Sequence, residues 1–123
     1  RDLAGYQAAL AGPVLEIMDY LDGVAPEDRF LFGAIGLADI SVGVMFRNMR
    51  YSRWTPDASR WPKAAGWIAR IEAHPALQVA NEWADALVKT PIADHVNRAR
   101  ELGLPLTATS MGSAAPRRGP MTV

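Results

Sequence analysis

Residues 30–46 read FLFGAIGLADISVGVMF. This apolar run holds one carboxylate, Asp39, and its reading decides the fold. The run is shorter than the ~20 residues that a membrane-spanning helix needs. A carboxylate near its middle would cost about 2.5–3.5 kcal/mol in lipid. Gly33 and Gly36 suit a turn better than a span. The stretch therefore reads as a loop leading into a buried helix, with no membrane role.

Placing Gly36 at the N-cap puts Asp39 at N3 and Ile40 at N4. A carboxylate at N3 reaches back to the backbone N–H of the N-cap residue. It also sits at the positive end of the helix dipole. Ile35 at N′ can pack on Ile40 as a hydrophobic staple. Ile35, Gly36, Asp39 and Ile40 thus form a structural capping set, with a buried catalytic acid as the other reading of Asp39. The helix is expected over Leu37 to Arg53. Leu37, Ile40, Val42, Val44, Met45, Phe46 and Met49 cover most of its circumference, which predicts burial on all sides.

Outward from this helix the pattern stays helical. In residues 3–22, Leu3, Tyr6, Leu10, Val14, Ile17, Met18 and Leu21 recur at helical spacing. Gly12 and Pro13 interrupt them, predicting a kink or two abutting helices. Pro62 fits the first position of a third helix, expected to end at His74. A fourth helix starts at Pro75 and carries Leu77, Val79, Ala80, Trp83, Ala84 and Leu87. Thr90 as N-cap and Pro91 after it signal a fifth, running to Leu102 with Gly103 as its stop. Residues 104–123 are rich in Pro, Gly, Ser and Thr without any period and read as a mobile tail. The fold class is all-α: a helical bundle around a central buried helix, spanning residues 1–103.

Composition bounds the function. The 123 residues suggest one domain, half of them apolar. Lys plus Arg equals Asp plus Glu, so the basic excess of a nucleic-acid binder is absent. Arg47, Arg50 and Arg53 read as the wet end of one helix, and Arg117 with Arg118 as part of the tail. There is no cysteine, which removes disulfides, thiolate metal sites and a cysteine nucleophile and permits a reducing, cytoplasmic setting. His74 and His95 lack metal-ligand spacing, so no metal site is expected. A helix-end role beside terminal carbonyls suits His74. Trp67 and Trp83 read as core or helix–helix contacts. The chain opens on Arg1, so its natural start is expected elsewhere.

Residues 30–40 resemble a pattern of the glutathione transferase C-terminal domain: an aromatic and Leu, Gly, a short turn, Ser or Thr, an apolar residue, Ala, Asp and an apolar residue. Residues 61–76, WPKAAGWIARIEAHPA, resemble the family's next segment, a Pro, a short amphipathic helix and a closing Pro-Ala. RNMRY at 47–51 sits between them at the family's usual distance. The resemblance covers roughly Leu3 to Leu87. Gly36 departs from it, standing where the family has a capping Ser or Thr.

The resemblance implies the helical half of a glutathione S-transferase. A thioredoxin-like N-terminal domain would bind glutathione as co-substrate and supply the Tyr, Ser or Cys that activates its thiol. Nothing in this chain matches that domain, so the chain alone is expected to be inactive, to hold no cofactor and to contain no catalytic residue. The intact protein is expected to be a homodimer acting on a small electrophile. The family's electrophile pocket is walled partly by the start of the capped helix. Ser41, Met45 and Asn48, with Ser52, share a stripe on that helix. Ser41, Met45 and Asn48 are therefore the expected substrate-binding residues. Against this, Ser41 can bond back to a backbone carbonyl and Met45 can fill the core. A non-catalytic protein–protein interaction module of the same fold is the alternative function.

Overall fold

A computed structural model describes residues 3–107. The described chain is all-α. Its elements are α1 (Leu3–Val24), α2 (Leu37–Arg50), α3 (Pro62–Glu72), α4 (Pro75–Val88), a 3-10 turn (Ile92–Asp94) and α5 (His95–Glu101). The residues group into two compact units, Arg1–Gln78 and Val79–Val123. The tail expected from residue 104 lies, from 108 onward, outside the described residues.

In the first unit, α1 runs unbroken through Pro13. The two abutting helices that Gly12 and Pro13 allowed do not form. Pro13 lacks the N–H that would reach the Ala9 carbonyl. Ala9, Gly12 and Pro13 are all exposed, so that carbonyl is open to water. Val14, Met18, Leu21 and Ala25 form the buried face. Two carboxylates near the C-terminal end of α1 then fix α3. Asp22 accepts the backbone N–H of Ala64 at 2.9 Å, and Asp19 accepts the indole N–H of Trp61 at 2.6 Å. Pro62 opens α3, as the sequence predicts, and the donor accepted by Asp22 is one of the orphan N–H groups of that first turn.

α3 is the helix at the centre of this unit. It packs on both α1 and α2, whereas the backbones of α1 and α2 do not approach each other. Ala64, Trp67, Ile68 and Ile71 recur at helical spacing and are buried. Burying Ile71 contributes roughly 1.5–3 kcal/mol. The expectation that α2 is buried all round is corrected here. α2 buries Asp39, Gly43 and Phe46, but Leu37, Val44 and Met45 are exposed. Its apolar circumference exceeds what one neighbouring helix can cover. Gly43 permits the close crossing, because a Cβ there would collide with Ile71.

α2 ends earlier than its polar residues suggest. Arg53 adopts φ 60°, and the Trp54 N–H reaches back to the Met49 carbonyl at 3.2 Å, closing the helix in the manner of a Schellman cap. Between α1 and α2, a tight turn at 30–34 has Gly33 at φ 99°. Arg70 on α3 donates to the Arg29 carbonyl at 3.1 Å and to that of Glu27, tying down the loop.

In the second unit, Thr90 does not cap the following turn. Its hydroxyl donates to the Ala86 carbonyl at 2.8 Å and so closes α4. The chain then makes the 3-10 turn before α5, and the His95 Nε2 lies 2.9 Å from the Thr90 carbonyl oxygen. Ala99 is buried, and Gly103, at φ 74°, ends α5 as its sequence position predicts.

Candidate functional site

Asp39 is 0% exposed at the start of α2. Its Oδ1 accepts the Leu31 N–H at 2.9 Å and the Trp67 indole N–H at 2.8 Å. Its Oδ2 accepts the Gly36 N–H at 3.0 Å. Burial pushes the carboxyl pKa up, but the backbone N–H groups of Leu31 and Gly36 and the Trp67 indole outweigh it, and the group sits below the usual carboxylate range. Three donors converge on one buried anion, which ties the 30–34 turn, the α2 N-terminus and α3 together. Gly36 is extended, with φ −133° and ψ 180°, and lacks a side-chain oxygen, so only the Asp39 half of a capping box is made. This geometry anchors a helix and offers no open face to a reactant. Ile35 packs against the core cluster.

Between them, α1 and α2 leave an open space. A groove of about 500 Å³ runs there. Pro13, Val14, Ile17 and Leu21 wall it from α1, and Ser41, Val42, Met45, Phe46 and Met49 from α2. Its volume falls in the range of small-molecule sites. No titratable side chain stands among the described residues that line it.

Two of the three residues expected to bind substrate lie on this groove. Ser41 and Met45 line it, and Asn48 does not. Asn48, three residues after Met45, is exposed. Met45 is 66% exposed and is not core filler. Ser41 Oγ does donate to the Leu37 carbonyl, at 2.8 Å, as the competing reading of Ser41 requires. The whole α1 wall escaped sequence reasoning. No sequence signal marked it: Ile17 shares the helical spacing of Val14, Met18 and Leu21, yet it is 51% exposed and lines the groove.

The remaining candidates are structural. Arg50 pairs with Glu72 across α2 and α3. His74 Nδ1 accepts the Ala76 N–H at the start of α4, at 3.3 Å, and its ring meets Phe30 edge-on. The role expected for it, beside the terminal carbonyls of α3, is thus replaced by one at the next helix. Trp67 is a core residue, and Trp83 is half-buried in α4. No cluster of metal-ligating side chains exists among the described residues, and none of their helices is long and apolar enough to cross a membrane.

Fold and site together define a helical protein whose first unit presents an uncharged, apolar groove between two helices. No protein family, curated protein or solved structure matches the chain.

Proposed function

We propose that this chain is the second-substrate half of an enzyme of the glutathione transferase type, its α1/α2 groove receiving an apolar electrophile. The observation that carries the reading is the groove itself, with Ser41 and Met45 of the capped helix on its wall. The ordered resemblance of residues 30–40, 47–51 and 61–76 supports it. In this reading a thioredoxin-like domain binds glutathione, lowers the pKa of its thiol and presents the thiolate. The present chain excludes water and orients the electrophile, and the intact protein is a cytoplasmic homodimer.

An interaction module of the same fold is the second reading. Phe32 at 84% and Leu37 at 80% exposure favour it, because both are large apolar groups that lie off the groove.

The test is binding of an uncharged naphthalene fluorophore to residues 1–123, repeated with Ile17→Glu. Ile17 is half-exposed, so the variant keeps its core while placing a carboxylate in the groove. Saturable binding that the variant abolishes is expected. Binding unaffected by Ile17→Glu, or none at all, sinks the groove as a substrate site. Capture of a protein partner that Phe32→Ser and Leu37→Ser together abolish would favour the interaction module.

A further inference from the structure

Resting on the groove reading above, the inference concerns which ligands the groove prefers. Ser41 is the one residue with a polar side chain among those that line it. Its single hydroxyl proton is committed, since Oγ donates to the Leu37 carbonyl at 2.8 Å. What Ser41 offers a ligand is lone pairs alone. Met45 and Met49 add thioether sulfurs, which are weak acceptors and favourable neighbours of aromatic rings. The side chains on the described walls therefore accept hydrogen bonds and donate none.

We propose that the groove selects uncharged, aromatic-bodied ligands bearing a hydroxyl or N–H donor over ligands of the same shape that bear only acceptors. A donor placed at Ser41 finds an acceptor already oriented by its bond to Leu37. An acceptor placed there meets lone pairs, and remains unsatisfied unless the serine gives up its own helix bond. A carboxylate enters with no counter-charge and loses its hydration.

Three naphthalenes separate these cases: 2-naphthol carries a donor, 2-methoxynaphthalene keeps the ring and oxygen without it, and 2-naphthoate is charged. Their affinities for residues 1–123 at neutral pH are measured by calorimetry, and again with Ser41→Ala. Alanine is the best helix former, so the variant retains α2. The naphthol binds more tightly than the methoxy compound by about two- to tenfold, the range of one net hydrogen bond. Ser41→Ala removes that preference and leaves the methoxy compound unchanged, and the naphthoate binds weakest. Equal affinities for naphthol and methoxynaphthalene, a preference that survives Ser41→Ala, or tightest binding of the naphthoate overturns the proposal while leaving the groove a binding site. No binding of any of the three overturns the groove reading and this inference with it.

Discussion

The indole N–H of Trp67 on α3 donates to Asp39 Oδ1 on α2 at 2.8 Å, and both side chains are buried. The same carboxylate accepts the N–H groups of Leu31 and Gly36. Truncating either partner therefore strands a buried polar group. Trp67→Phe keeps most of the ring volume and removes one donor, and should destabilise by about 1–3 kcal/mol. Asp39→Ala leaves three donors without their acceptor and should cost more than Trp67→Phe. Denaturant melts of the two variants check the order. An Asp39→Ala variant as stable as the parent would show that this anion does not hold the turn to the helix.

Acid should weaken the same node. The folded-state pKa of Asp39 lies below the ordinary value, so its stabilisation is fully present above the unfolded pKa of about 3.9. That stabilisation is lost as pH falls through the depressed folded pKa. The stability gap between the parent and Asp39→Asn should therefore be constant above about pH 5 and shrink on acidification through and below pH ~4. A gap that widens in acid would give the carboxyl a raised pKa instead.

Gly43 faces Ile71 so closely that an added Cβ would collide with the Ile71 Cγ2 and crowd its Cβ. Gly43→Ala should destabilise by about 1–3 kcal/mol through overpacking, in spite of the better helix propensity of Ala. Ile71→Leu removes the Cγ2 methyl. The double variant should recover part of the loss, giving a coupling that a double-mutant cycle of melts reads directly.

Gly36 tests the helix start from the other side. Its extended backbone accepts any L residue, and a Cβ there would lie 3.8 Å from Asp39 Oδ2, an ordinary contact. Gly36→Ser supplies the missing side-chain acceptor and should stabilise by about a few tenths of a kcal/mol, because Gly already caps passably. A loss of stability in the melt would show that the added hydroxyl competes with the Asp39 hydrogen bonds.

The proposed division of labour sets a further expectation. Purified residues 1–123 should show no glutathione-dependent conjugation of an activated aryl halide, because the proposed chemistry draws its thiol-activating group from another domain. Turnover dependent on both the chain and glutathione would contradict the proposal.

Local sequence determined several of the helix starts and stops of this protein, because those signals act within a few residues. Pro62 opening α3, Pro75 opening α4, Gly103 ending α5 and Asp39 three residues after Gly36 are all matters of backbone geometry over a single turn. The tertiary structure decided which helix lies at the centre and which apolar side chains stay wet. An apolar surface all round α2 says that its side chains favour burial, but not how many neighbours arrive to bury them. One does, α3, brought close at Gly43 and held through Trp67. Across the chain, Asp19 and Asp22 of α1 bind Trp61 and Ala64 of α3, contacts spanning 42 residues that no local pattern encodes. With both helices fixed to α3 and not to each other, Ile17 and Met45 are left facing a groove rather than a core.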